Sequence, residues 1–275
     1  MYVKSTTWAG DLAEVRIYAP GRYGAPGEKR EKKKQPSPED IERQNHRNRV
    51  RKVQMMILLN FRDGYHVILK YPKDKHPDSY AEAKGDLDRF LRRMRDDLKA
   101  RDSPFRWIAV TERGKRRAVL HHHLIVERIE APELFSMPML IRKNWPGHAE
   151  YIDMYDDGQY EDLAEYLVKK ETKEECEGTR YRCSRNLQKP KVERELVHGR
   201  PPDEPEAPPG WEVVKDSGAD RQNPLTGRIF RRYFIRKLPE FAPAQEKCTV
   251  KETENRPVGE RIKRWWKRLK KRWSR

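Results

Sequence analysis

Two β-rich runs close together constrain this chain more than any other feature: "FRWIAVTE" (105–112) and "AVLHHHLIVER" (118–128). Both are rich in branched and aromatic residues. The short basic stretch between them contains Gly114, so they read as a β-hairpin. The second run carries three of the chain's eight histidines in a row. Successive side chains of a strand point to opposite faces, so His121 and His123 share one face while His122 and Leu124 share the other. Glu112 closes the first strand, nine residues before His121, so the turn can bring its carboxylate beside the two imidazoles. A carboxylate with two imidazoles suits Mg²⁺ or Mn²⁺ when a substrate supplies phosphate oxygens, and would tolerate zinc.

The flanking segments set the fold class. "GDLAEVRIYAP" (10–20) reads as a strand, and the basic run "GEKREKKKQ" within about 20–36 reads as a flexible loop. Ser37 then caps a helix, with Pro38 at its first position and Glu39 and Asp40 in its first turn. "VQMMILLNF" (53–61) reads as a buried strand that ends at the turn signal Arg62-Asp63-Gly64. In 79–100, Ala83, Leu87, Phe90, Leu91 and Met94 recur at three- and four-residue spacing, one apolar stripe on a charged helix. A further helix is expected at about 159–172. There Tyr160, Leu163, Ala164 and Leu167 form the buried stripe, and Tyr166 lies off it, sharing its flank with Lys170 and, one step round, Lys169. The expected class is α+β: a central antiparallel sheet with helices on one face, plus a C-terminal hairpin and a basic tail. The expected organisation is a domain over 1–200, a Pro-rich linker at 201–210, a hairpin at 211–240 around "GADRQNPLTG", and a tail at 241–275.

A formal charge of +17 points to a polyanionic partner, because clustered Lys and Arg gain affinity by releasing counterions from nucleic acid. Arg180, Arg182, Arg185 and Lys189 follow the tyrosine helix and are candidates for phosphates flanking a reacting one. The last twenty residues, from Arg256, carry ten basic residues and one acid. Ile262, Trp265, Trp266, Leu269 and Trp273 recur there at helical spacing, so Lys263, Arg264, Trp265, Trp266, Lys267 and Arg268 are candidates for an auxiliary DNA-binding tail. A membrane surface or the protein's own core are the other readings of that helix. Cys176, Cys183 and Cys248 form neither a disulfide framework nor a zinc spacing, which suggests a reducing, cytoplasmic setting. No apolar run approaches a membrane span.

Taken together, "MILLNF" (56–61), "HHH" (121–123) and "YLVK" (166–169) resemble, in kind and order, the motifs of HUH endonucleases of the rolling-circle replication initiator type. The text from "NWPGHAEYIDMYDD" through "YRCSRNLQKP" is similar to replication-associated proteins related to filamentous-phage initiators. His122 stands where the family usually has an aliphatic residue. The resemblance covers roughly 50–195 and implies an antiparallel palm like that of RNA-recognition domains. It also implies nicking of single-stranded DNA at an origin through a 5′-phosphotyrosine, and it leaves room for a host helicase as a partner. Under it Glu112, His121 and His123 match the metal ligands, Tyr166 the nucleophile and Lys169 the motif lysine, while the helical wheel favours Lys170 as the neighbour of Tyr166. A single-tyrosine HUH transposase would share this site. A catalytically silent nucleic-acid-binding module would not need it. The tyrosine lies downstream of the histidines, opposite to the usual order in conjugative relaxases, and a deaminase is disfavoured because "HxE" with "PCxxC" is absent.

Overall fold

The computed structural model describes residues 1–20, 37–61, 63–114, 119–131, 135–154, 160–168, 181–222 and 229–238. Residues 1–241 form one compact unit; 242–275 form a second, which lies outside the described residues. In chain order the elements are β1 (Tyr2–Ala9), β2 (Leu12–Tyr18), α1 (Pro38–Asn60), β3 (Gly64–Lys70), α2 (Tyr80–Lys99), β4 (Trp107–Arg113) and β5 (Leu120–Glu127). They continue with β6 (Glu130–Ala131), β7 (Phe135–Ser136), α3 (Met137–Asn144), β8 (His148–Asp153), α4 (Glu161–Leu167), β9 (Arg182–Cys183) and β10 (Lys191–Val197). The last are β11 (Trp211–Val213), β12 (Ala219–Gln222) and β13 (Ile229–Lys237). The class is α+β, with antiparallel sheets and, among the described residues, four helices.

Two sheets carry the structure. The first runs β10-β1-β2-β13-β11, with β12 paired to β13; the second runs β8-β3-β5-β4-β9. The hairpin expected at the C-terminal end therefore shares a sheet with the N-terminal strands, with Tyr233 opposite Val15 and Arg232 opposite Arg16. Tyr2, Ala13, Val15, Ile17, Tyr233 and Ile235 form its buried cluster. In the second sheet, Tyr65, Val67 and Leu69 of β3, Trp107 and Ala109 of β4, and Leu120, Leu124 and Val126 of β5 point to one face. There they pack against Ala83, Leu87, Phe90, Leu91, Met94 and Leu98 of α2 and Met137, Leu140 and Ile141 of α3. The stripe expected on α2 is its buried face.

One expectation is overturned. Residues 53–60 are not a strand but the last turns of α1, which runs unbroken from its Ser37 cap, where the Asp40 amide donates to Ser37 Oγ at 3.2 Å. Val53, Gln54, Met55, Met56, Ile57 and Leu58 are all buried. A helix enclosed on every side loses the polar positions that reveal its 3.6-residue period, so a short apolar run cannot be told from a buried strand. "MILLNF" is therefore helical, and the strand beside the histidines is β3, which begins at the residue expected to end a turn. A Cβ on Gly64 would stand 2.4 Å from the Val126 carbonyl oxygen, so only glycine allows this close approach.

A buried charge network links the first sheet to the helices that serve the second. Glu14 of β2 is fully buried and meets Arg51 of α1, Arg232 of β13 at 2.6 Å and Arg16 at 3.6 Å. Arg232 also donates to Gln54 of α1 at 2.8 Å and to Glu161 of α4 at 3.2 Å. A buried carboxylate stripped of these partners would cost several kcal/mol. The network ties the first turn of α4 to β13 and α1.

Candidate functional site

The register of the hairpin does most of the assembly. Glu112 of β4 lies directly opposite His121 of β5, and His123 lies opposite Val110, two residues along the same face. Paired residues of an antiparallel ladder point to the same side, so the carboxylate and both imidazoles share the face away from α2 and α3. His121 Nε2 is 3.1 Å from His123 Nε2; Glu112 Oε1 is 3.3 Å from the former and 3.4 Å from the latter. Cis ligands of a six-coordinate ion with bonds of ~2.1 Å stand ~3 Å apart, so the three donor atoms are spaced to hold one divalent cation. Among the described residues, Glu112, His121 and His123 form the group able to do so.

From α4, Tyr166 enters this cluster. Its Oη donates to Glu112 Oε1 at 2.9 Å and lies 2.7 Å from His123 Nε2. Burial raises the phenol pKa, and the Glu112 charge and hydrogen bond raise it further, so the side chain rests as the neutral phenol. α4 is shorter than expected, Glu161–Leu167. Tyr160 stands before it in a left-handed conformation, φ 57°, yet is buried with Leu163, Ala164 and Leu167, as the stripe requires. The off-stripe flank is the one that faces the histidines. Lys169 and Lys170 lie outside the described residues.

His122 points to the other face, where it is fully buried. Its Nε2 is 2.8 Å from Tyr71 Oη, its Nδ1 is 2.9 Å from Thr111 Oγ1, and Trp145 packs edge-on at 5.5 Å. Both ring nitrogens are satisfied, which explains a histidine where an aliphatic residue would fit. Burial, reinforced by the charges of His121 and His123, lowers its pKa to about 3.

Two residues of the site face escaped the sequence reading. His66 of β3 is buried, and its Nε2 is 3.0 Å from His123 Nδ1. Burial, then the proximity of His123, holds its pKa well below the ordinary value, so it is neutral. If His123 offers its Nε2 lone pair to a cation, its proton sits on Nδ1, and neutral His66 is the acceptor for that N–H. Lys70 of β3 lies opposite His121 and pairs with Glu150 at 2.6 Å. The signal available was alternation within "GYHVILK", where His66, Ile68 and Lys70 share a face, but it required β3 to be recognised as a strand.

The expected DNA-binding residues fall elsewhere. Arg182 of β9 sits opposite Ala109, hence on the α2 face, where it pairs with Asp88 and lies 6.0 Å from the Trp107 ring centroid. Arg185 and Lys189 are exposed. Arg180 and Lys263, Arg264, Trp265, Trp266, Lys267 and Arg268 lie outside the described residues. No helix among the described residues is long and apolar enough to cross a membrane.

An antiparallel α+β sheet with a carboxylate, two histidines and a tyrosine gathered on one face defines the class of site. Residues 64–175 of the chain match the family model described as Replication-associated protein of the ORF2 type, a span that includes His66, Glu112, His121, His123 and Tyr166. The match supports a replication-initiator family. No match was found among curated proteins or among solved structures.

Proposed function

We propose that the chain is a replication initiation protein that nicks single-stranded DNA at an origin and holds the cut end on Tyr166. The observation that carries this reading is the phenolic oxygen of Tyr166, 2.9 Å from the Glu112 carboxylate and 2.7 Å from His123 Nε2. A carboxylate, two imidazoles and a phenol converging on one point suit transfer of a phosphoryl group from one oxygen to another.

In the proposed step, Tyr166 Oη attacks the scissile phosphorus. The new O–P bond joins the tyrosine to the 5′ phosphate, the P–O3′ bond breaks, and the departing oxygen takes up a proton to leave a 3′ hydroxyl. The phenolic proton is lost at the same time, because burial and the Glu112 charge disfavour a free phenolate beforehand. Glu112, His121 and His123 would hold Mg²⁺ or Mn²⁺, which when bound polarises a phosphate oxygen and offsets charge developing there. His66 fixes the ring of His123, and Lys70, one strand beyond His121, supplies a cation near the phosphate. The lysine of the "YLVK" motif, Lys169 or its neighbour Lys170, would add a second. Joining is the reverse step, in which a 3′ hydroxyl attacks the phosphotyrosine and releases the phenol.

The test is to incubate the chain with labelled single-stranded origin DNA and Mn²⁺ and to map any covalent adduct by peptide mass. An adduct on Tyr166, lost in Tyr166→Phe while DNA binding persists, is the expected result. An adduct on Tyr160 or Tyr181, or hydrolysis with no adduct at all, would overturn it.

A further inference from the structure

On the face opposite the histidines, where β9 forms the edge of the second sheet, a cleft of about 1060 Å³ opens between α2 and the segment 181–186. Four cations line it, Arg95 and Lys99 one turn apart on α2, and Arg182 and Arg185, against the single acid Asp102. Arg182 is neutralised by Asp88, although its Nη1 is buried without a hydrogen-bond partner among the described residues. Arg95, Lys99 and Arg185 form no ion pair among the described residues. Three uncompensated cations in one concavity attract an anion, and Tyr181 in the wall offers a flat face for a base.

We propose that this cleft binds the phosphates of DNA flanking the strand held at Tyr166, an inference that rests on the reading of the chain as a DNA-nicking protein. The sheet sets the distance. Arg182 pairs with Ala109, three residues before Glu112 on the same strand, or ~10 Å at ~3.3 Å per residue. That is on the order of three stacked nucleotides, before the turn round the β9 edge. A strand leaving the tyrosine can pass that edge and come under Arg185, Lys99 and Arg95. The cleft is remote from the reacting atoms, so it sets affinity and direction of approach rather than chemistry.

The experiment uses the full chain and fluorescein-labelled oligo(dT) of six and twenty-four nucleotides, with a twenty-four-base-pair duplex as a third probe, in anisotropy titrations across a salt series. In Arg95→Ala/Lys99→Ala and in Arg185→Ala, affinity for the longer probe should fall about fivefold per cation removed at 0.1 M salt. The log–log salt slope should shrink by ~0.7 per cation for single strands or ~0.9 for duplex, with the six-nucleotide probe little changed. Whichever long probe responds identifies the flank as single-stranded or duplex. Alkylation of the exposed thiol of Cys183, which also lines the cleft, should slow when the longer probe is bound. Unchanged slopes for both long probes, an equal loss in the control Lys191→Ala/Lys215→Ala, or an unprotected Cys183 would overturn the proposal. If slopes stay unchanged while the Tyr166 adduct forms, the cleft assignment alone fails. If the slopes shrink as expected but no adduct forms, the nicking chemistry alone fails.

Discussion

The two faces of β5 place one residue type in two environments. On one face His121 and His123 meet Glu112 and Tyr166 at a partly open site; on the other, His122 is sealed between Tyr71, Thr111 and Trp145. The backbone positions are adjacent and the side chains identical, so the difference lies entirely in what the neighbouring elements bring. α4 and β3 bring titratable groups to the first face, while α2 and α3 bring apolar ones to the second. Histidine becomes a candidate ligand where its lone pair faces a carboxylate and a structural hydrogen-bonding wedge where both nitrogens are filled from the core.

The strongest way to break this contrast is to compare alanine variants across it. His121→Ala and His123→Ala should each lower Mn²⁺ affinity, read by calorimetry, by more than the ~10–100-fold that loss of an outer partner costs. His122→Ala should leave that affinity near the parent value. Equal losses in all three would show that the strand's alternation does not separate the roles.

His122→Ala should instead reduce folding stability by about 2–4 kcal/mol in urea titrations, since it opens a cavity and strips partners from Tyr71 and Thr111. The pH dependence sharpens this. The folded-state pKa of His122 is about 3, below its unfolded value near 6.5, so the buried neutral ring contributes stability above pH 6.5 that is lost as pH falls toward 3. Over that window the parent should lose roughly 1.4 kcal/mol per pH unit through this proton, and His122→Ala should lack that share of the slope. Identical slopes would place the proton elsewhere.

A smaller effect is expected at His66, which touches the site only through His123. His66→Ala should weaken Mn²⁺ binding ~10–100-fold, and His66→Gln, which keeps an acceptor, should recover part of it. An unaltered Mn²⁺ affinity in His66→Ala would make His66 mere filling. The smallest is Lys70→Ala. Lys70 is exposed and already paired with Glu150, so its loss should slow adduct formation only several-fold, on the scale of one partly screened charge. A change in Mn²⁺ affinity equal to that of His66→Ala would contradict its placement beside, rather than behind, the ligands.

The parts of this site that were legible in the sequence depend on local geometry. Alternation along "HHH" follows from the two-residue period of a strand, and the short turn after Arg113 forces the hairpin that sets Glu112 against His121. The Ser37 cap and the apolar stripe of α2 are likewise local, and both are present. Tyr166 was legible as the residue left off the buried stripe of its helix, although the stripe did not say what it would face. Where sequence reading failed, the missing information was non-local or erased by burial. Residues 53–60 are enclosed on all sides, so no polar face marked their helical period. That error displaced the turn at Gly64 and hid β3, and with it His66 and Lys70.

The sequence by itself determined the period-two placement of the three histidines, the carboxylate across the hairpin and the basic charge, because each depends only on neighbours in the chain. Tertiary structure alone decided that β3 lies beside β5 and that β13 joins β2. It also decided that α4 delivers Tyr166 to His123 and that Arg182 turns to the α2 face. Strand pairing and helix docking between distant segments are selected by the total burial and hydrogen bonding of the whole fold, a sum that no short stretch of residues contains.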